Sequence, residues 1–542
     1  MPLKRKNNFI IQASILGIAG LLVRIIGLLY RAPLTEIIGD EGNGYYGQAY
    51  NIYTIILLIS SYSIPLAISK VISGKLALKE YKNAHRAFIC ALIYVSIVGA
   101  AASLLLYFGA PLFVDKNAVG VLRIFSPTIF FYGLLGVLRG YFQAHGSMIQ
   151  TSISQIIEQL LNAVISISAA YLFVQFCFHS GTPQNIPVFG AAGSALGTGA
   201  GVVIGLVFML LVYWLNSSFI HKRMRRDVHE NVDTYQDIFR TLLLMVTPVI
   251  FSTFVYNCST TLDMKLYYYI AYEVKGWTTA FANTQYGIFS TKFIVLMNIP
   301  VALASSISTA MIPEVSRTYT TGDIAATNGR IETAIRFTMF LSIPSAVGMC
   351  VLSYPIVSLL FPQPDSIIIA STLLKYGSIC ILFYSLSTVT NSVLQGIGKV
   401  NIPVKNACLA LVGHLLILAP ILYFTDLDLF ALLIGTASYS FLMCILNGLS
   451  VKKYLGFKHD VKKSFLLPGL AALIMGIVVW AVYYGFYVMV QNNVLGLMIS
   501  IPLGAFAYFI SLIKLGGVTE DELRSFPKGH LLIKGAKKLH LL

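Results

Sequence analysis

The sequence predicts an all-α integral membrane protein of fourteen transmembrane helices, arranged as two pseudo-symmetric six-helix lobes followed by two further helices. Three observations carry that expectation. Hydrophobic residues make up 57% of the 542 and charged residues only 11%, outside the range of soluble globular chains. Apolar runs of spanning length recur along the whole chain, and Lys and Arg segregate onto alternate connections.

The chain opens with Met1-Pro-Leu-Lys-Arg-Lys6 and an apolar stretch from Phe9 to Tyr30. That stretch is too long for a signal-peptide core and lacks a small-residue cleavage site, so it reads as the first span. Six more runs follow near 47–72, 86–109, 119–142, 154–177, 188–214 and 238–258. Seven complete the set near 281–308, 331–359, 367–395, 402–424, 429–450, 464–488 and 493–514. Each is close to the roughly 20 residues that cross a bilayer core. An even number returns the chain to its starting side.

The charges test the count independently. Lys70, Lys75, Lys79, Lys82 and Arg86 follow the second span; Lys222, Arg223, Arg225 and Arg226 follow the sixth; Lys452, Lys453, Lys458, Lys462 and Lys463 follow the twelfth. The alternate connections hold Glu36, Asp40, Glu41, Asp115, Asp263, Glu273, Asp365, Asp426 and Asp428, with few cations. The basic side is therefore the cytoplasm, and it holds both termini. The net charge of +16 reports topology and contact with anionic membrane lipid, and no nucleic-acid partner is implied. Seven cysteines lie within spans, with no C-x-x-C pair and no His at ligand spacing, so they read as small buried residues.

The polar connection from Asn216 to Asp237 divides the chain after the sixth span. The predicted organisation is an N-lobe over 1–220, a cytoplasmic linker over 221–237, a C-lobe over 238–455, and the last two spans with a cytoplasmic tail over 456–542. Internal repetition supports it. A shift of 244 residues brings Ile68 onto Ile312, Val71 onto Val315, Arg86 onto Arg330 and Pro111 onto Pro355; one of 252 brings Gln143–Gly146 onto Gln395–Gly398. Parallel repeats of this kind are related by an axis along the membrane normal. Gly193, Gly197, Gly201 and Gly205 leave one face of the sixth span bare for close helix packing. The final two spans carry no charge between Phe465 and Ile513 and read as a lipid-facing pair.

Ionised side chains inside hydrocarbon cost roughly 2.5–3.5 kcal/mol even on lenient insertion scales, so those present are candidates for function. They are Arg24, Glu158, Lys292 and Lys375. Arg24 lies fifteen residues into the first span, about 22 Å from its cytoplasmic start at 1.5 Å per residue. Lys292 is near the middle of the eighth span. Lys375 and Arg31 stand near the outer ends of theirs, where a headgroup location would also satisfy them. Glu158, the one intramembrane carboxylate, is expected to neutralise Arg139 or a cavity Lys, with a proton relay as the other role. The sum, +3 against −1, leaves a positive excess that an anionic substrate would balance, and phosphate or pyrophosphate suits Arg and Lys donors. No Walker loop, metal cluster or nucleophile triad is present in the sequence, which points to a transporter and not an enzyme, with no cofactor or metal.

Several segments carry a family resemblance. Val23–Ala32, Glu41-Gly-Asn-Gly-Tyr-Tyr46, Ser63–Lys70, Val137–Gln143, Ser152–Gln159 and Asn298–Pro300 through Met311–Ser316 resemble bacterial polysaccharide-export proteins of the stage V sporulation protein B type. That group shares a superfamily (MOP, MATE-like) with the lipid II flippases and the multidrug and toxin extrusion antiporters. The resemblance implies a V-shaped two-lobe transporter in the bacterial plasma membrane. For the flippase branch it implies export of an undecaprenyl-pyrophosphate-linked saccharide by alternating access, with Arg24 and Arg31 matching the first-span arginine pair that holds the pyrophosphate. Lys292 stands one turn before Val295, where the Gram-negative flippases carry an Arg. The expected site is therefore Arg24, Arg31, Lys292 and Lys375 for the pyrophosphate, with Glu158 and Arg139 for charge balance or coupling, in a monomer. The alternative is a cation-coupled multidrug antiporter, whose cavity should present carboxylates.

Overall fold

The computed structural model describes residues 16–17, 19–62, 64–225, 227, 233–518, 533 and 537. The basic N-terminal segment, the start of the first predicted span at Phe9, six linker positions (226 and 228–232) and most of the C-terminal tail lie outside them. Every regular element among the described residues is helical.

By packing, the chain divides into two compact units, Met1–Thr291 and Lys292–Leu542. The first contains α1 (Ala19–Leu29), α2 (Arg31–Leu57), α3 (Ile64–Ala77), α4 (Tyr81–Phe113), α5 (Lys116–Ala144), α6 (Ile149–His179), α7 (Ile186–Arg225), α8 (Tyr235–Tyr269) and α9 (Thr279–Gly287). The second contains α10 (Ile294–Thr320), α11 (Ile324–Val351), α12 (Ser353–Leu360), α13 (Pro364–Gly377), α14 (Ile379–Gly396), α15 (Asn401–Phe424), α16 (Leu429–Leu455), α17 (Leu467–Val490) and α18 (Asn493–Lys514).

Eleven helices among the described residues are long and apolar enough to cross a membrane. These correspond to the third to sixth and the eighth to fourteenth predicted spans; the first, second and seventh each include positions or side chains outside those described.

Gly39, at φ 69° and ψ 176°, breaks α2 internally. Helix therefore continues two turns beyond Arg31 before the kink, where the sequence reading had the span ending near Tyr30. Arg31 is thus set back from the break and not at its edge.

In the first unit, α3, α4 and α5 enclose a core of Ile64, Ile68, Phe88, Val95, Leu135 and Leu138. The glycine stripe of α7 permits the close helix approach the sequence predicts, and the partner is α6: a Cβ on Gly193 would stand 2.6 Å from the Ala169 backbone, and one on Gly201 2.6 Å from the Glu158 carbonyl oxygen. Only a residue without a side chain permits that approach.

Two linker residues return to the first unit. The Asp227 carboxylate accepts from the Lys82 backbone N–H at 2.7 Å, in the first turn of α4. Asp233 pairs with Lys75, donates its N–H to Asn83 at 3.0 Å, and its carbonyl accepts from Arg86 at 2.8 Å. Burial alone would push the Lys75 ammonium down; Asp233 and Glu80 more than reverse this and leave it raised.

In the second unit, α17 and α18 are not merely lipid-facing. Ala471, Met475, Val479, Tyr483, Leu497 and Leu512 join the core built on α11, while Ile477, Val488 and Met498 remain exposed on the outer faces.

Candidate functional site

The first unit holds a polar strip between α1, α2, α5 and α6. Its centre is Arg31, half-buried at the start of α2. The Tyr30, Tyr46 and Tyr50 hydroxyls lie in the electrostatic neighbourhood of the guanidinium. No carboxylate among the described residues stands at ion-pair distance from it. A guanidinium has five N–H donors, so most of its bonding capacity is unused by these neighbours.

Helical spacing builds the surround. Tyr46, Tyr50 and Tyr53 recur at intervals of four and three and share one face of α2. Tyr46 stacks on Tyr50 at 5.6 Å, and Tyr53 stacks on Phe125 of α5 at 4.9 Å. These four aromatic side chains are among the site residues that charge-based reading missed; the signal was the Tyr stripe at helix period.

Glu158 lies within electrostatic reach of Tyr50 and Tyr53. It pairs with Arg139: Nη2 donates to Oε2 at 2.6 Å, and the arginine Nε donates to Ser154 Oγ at 2.9 Å. The preferred role for Glu158, neutralising Arg139, is thus a contact in the structure. Beside it, the Gln159 amide packs on Gly27, where a Cβ would stand 3.2 Å from Nε2. Gly27 is three residues after Arg24 and four before Arg31, so the two arginines flank Gln159 along one face of the helix. Arg24 is exposed on α1.

Lys292 and Lys375 belong to the second unit. Lys292 is fully buried, donates to Ser366 Oγ at 2.5 Å and lies 6.0 Å from the centre of the Phe361 ring. Its backbone sits in a π-helical stretch, Ile288–Phe293. Lys375 is exposed, with its ammonium 5.9 Å from the Tyr376 ring centre. It follows Ser366 by nine residues on α13, about two and a half turns, which puts it on the opposite side of that helix. The structure therefore does not bring Lys375 to Lys292.

A second polar cluster, also missed in the sequence, closes one end of the first unit. Asp115 Oδ2 accepts from Gln48 Nε2 at 3.0 Å, from the Tyr272 hydroxyl, and from Asn283 Nδ2 at 3.4 Å. Its own N–H donates to Gln48 Oε1 at 2.8 Å. Asn283 is fully buried and accepts from Tyr268 at 2.8 Å, and Asn51 donates to the Tyr286 hydroxyl at 2.5 Å. Around these bonds α2 and α9 meet backbone to backbone. Gly44 faces the Asn283 main chain, Gly287 faces the Asp40 carbonyl, and a Cβ on Gly47 would stand 2.7 Å from Ser290 Oγ.

The model of the polysaccharide biosynthesis protein family matches residues 11–319, more than half of the chain. The chain belongs to that family. A second model, MatE, matches residues 291–421. The chain is 25% identical over 520 residues to the lipid II flippase MurJ of Bacillus subtilis (strain 168), covering 91% of this chain and 92% of that protein. It is 23% identical over 540 residues to stage V sporulation protein B of the same organism, covering 98% and 100%. A solved structure of a lipid II flippase MurJ in an inward closed conformation superposes with a TM-score of 0.65 at 18% identity, covering 92% of this chain and 97% of that one. This polysaccharide biosynthesis protein is accordingly a multi-pass membrane protein of the superfamily's transporter fold, as the motifs from Val23 to Ser316 implied.

Proposed function

We propose that this chain is a flippase: it carries an undecaprenyl-pyrophosphate-linked saccharide, lipid II or a related cell-wall or polysaccharide precursor, from the inner to the outer leaflet of the bacterial plasma membrane. The proposal includes fourteen spans with both termini in the cytoplasm, lobes at 1–220 and 238–455, and alternating access between them. It works as a monomer whose partners are the lipid-linked substrate and the surrounding lipid.

The observation that carries the reading is Arg31, a guanidinium set among tyrosine hydroxyls with no carboxylate at ion-pair distance among the described residues. A site for a cationic drug would need the reverse sign. The nearby carboxylate, Glu158, is already neutralised by Arg139. An anion bound at Arg31 gains charge-assisted hydrogen bonds from the planar guanidinium, with tyrosine O–H groups as further donors. Arg24, two turns earlier on the same face, extends the cradle to a second phosphate.

The membrane potential supplies a direction. Moving about two negative charges outward through an inside-negative 100 mV releases roughly 4–5 kcal/mol if the full field is crossed.

The second reading, a cation-coupled multidrug antiporter, has the MatE match over residues 291–421 on its side and the sign of the Arg31 site against it. The deciding experiment is transport in proteoliposomes. Wild type should move a fluorescent polyprenyl-pyrophosphate saccharide, and Arg31→Gln should slow it by about 10- to 100-fold, the worth of one or two charge-assisted bonds. Undiminished lipid transport by Arg31→Gln, or export of organic cations in place of the lipid, would overturn the proposal.

A further inference from the structure

The Arg139–Glu158 pair is built in a way that neutralising Arg139 does not require. Arg139 is the fixed member: its side chain is 7% exposed, its Nε is held by Ser154, and Ser154 in turn donates to the Thr151 carbonyl at 2.8 Å. Glu158 keeps 22% of its side chain accessible. Its Oε2 takes the Arg139 bond, and its Oε1 takes none from the described residues. A carboxylate has about four acceptor positions, so at least half of this one is unspent.

Its placement is equally specific. The Glu158 main chain is clamped by Gly201 of α7, and a Cβ on Gly205 would stand 3.6 Å from the Glu158 Cβ. The carboxylate lies beside Tyr50, which also neighbours Arg31, and Gln159 reaches Gly27 between the two arginines. One aromatic side chain thus separates the proposed anion centre from a rigid, outward-turned acceptor.

We infer that the unspent oxygen of Glu158 is a saccharide subsite, accepting hydrogen bonds from the hydroxyl or acetamido N–H groups of the first sugar. The inference rests on the pyrophosphate reading of Arg31. In a pyrophosphate-linked lipid the first sugar is bonded directly to the distal phosphate, so its donors are presented one ring away from the bound anion. A bare carboxylate there would repel the pyrophosphate. Paired with Arg139 it is electrically neutral yet remains a strong, charge-assisted acceptor. Arg139 is a positioning residue in this arrangement. A site built around a half-buried acceptor also discriminates, because a bound ligand lacking the matching donor covers that acceptor without satisfying it.

The test is equilibrium binding to the full-length protein in nanodiscs, with two probes: polyprenyl pyrophosphate, and the same lipid carrying a disaccharide. Wild type should prefer the saccharide-bearing lipid by about tenfold or more, the worth of a charge-assisted hydrogen bond. Glu158→Gln should remove most of that preference while binding the bare pyrophosphate as well as wild type or better, since Arg139 is then unneutralised. The double variant Arg139→Gln with Glu158→Gln keeps the pair neutral and hydrogen-bonded and should lose the preference as well. Equal loss for both lipids in either variant, or a preference that survives both, would overturn the subsite. If wild type binds both lipids alike, the subsite alone fails; if it binds neither, the pyrophosphate reading of Arg31 fails with it.

Discussion

Replacing Asp115 by Ala should loosen the contact between α2 and α9 without unfolding the first unit. The carboxylate collects donors from three helices: Gln48 at 3.0 Å from α2, Tyr272 from the π-helical extension of α8, and Asn283 at 3.4 Å from α9. Hydrogen bonds to a charged group contribute about 1.5–3 kcal/mol each. The Asn283 bond is long, and Asn283 keeps a bond to the Thr279 carbonyl at 2.9 Å, so two bonds carry the effect. Water can replace part of what is lost at this end, which leaves a net weakening of about 1.5–3 kcal/mol, or 10- to 100-fold in the opening equilibrium. Loss of a helix cap does not add to this, because Asp115, at the N-cap of α5, makes no side-chain capping bond. Hydrogen–deuterium exchange in nanodiscs reads the outcome: amides of residues 40–51 and 279–290 should lose protection by that factor, and those of α16 should not change. Unchanged exchange at both segments, or an equal loss throughout the molecule, would refute the assignment of Asp115 as the hub of this contact.

Other substitutions separate the remaining parts. Arg31→Lys keeps the charge but loses the planar fork, and should retain lipid transport at a level between wild type and Arg31→Gln in the same vesicle assay. Collapsing the membrane potential in those vesicles should slow wild-type turnover; equal rates with and without the potential would remove the charge-driven step. Gly201→Leu forces a side chain against the Glu158 carbonyl oxygen, now 2.6 Å from an ideal Cβ position, and should lower the thermal midpoint in detergent by the equivalent of about 1–3 kcal/mol. His459 lies on the connection between α16 and α17, where burial pushes its imidazole below the ordinary value of 6.5. The neutral ring is the one the fold accepts, so its contribution is present above pH 6.5 and is lost on acidification toward the lowered value. Amide protection of residues 456–466 should fall between pH 7.5 and 5 in wild type and less in His459→Phe.

The helical class and the positions of most spans were legible because a bilayer imposes a length and an apolar composition that no other environment does. That α7 would take a close helix neighbour was legible too, since four glycines at four-residue spacing leave a bare face; that the neighbour is α6 was not. What escaped the sequence depends on local departures from a straight helix. Arg31 looked terminal because the apolar run ends at Tyr30, yet Gly39, eight residues later, is where the helix breaks. The polar residues Pro33, Thr35 and Glu36 hide that continuation from any hydropathy count. Pairing was legible in one case only: Glu158 and Arg139 are nineteen residues apart on consecutive spans, so a hairpin brings them together. Asp115, Tyr272 and Asn283 come from three separate stretches of chain, and no spacing rule connects them. Lys292 and Lys375 show the limit from the other side, because counting intramembrane cations grouped Lys292, which bonds Ser366 of α13, with Lys375, which stands on the opposite side of that helix.

The two glycine-lined contacts of the first unit differ in a way that bears on which can move. Along α6 and α7 the glycines meet Ala169, Ala170, Ser166 and the Glu158 main chain over about three turns. Parting those helices would expose main chain to lipid, which supplies no hydrogen bonds in exchange. Along α2 and α9, Gly44, Gly47 and Gly287 make equally close contact, but the flanking bonds are Asn51 to Tyr286, Tyr268 to Asn283 and the Asp115 cluster. Every one of these can be exchanged for a bond to water at modest cost. Both partners also end in π-helical turns, Leu58–Tyr62 after α2 and Ile288–Phe293 after α9, where one hydrogen-bond register shift changes helix direction.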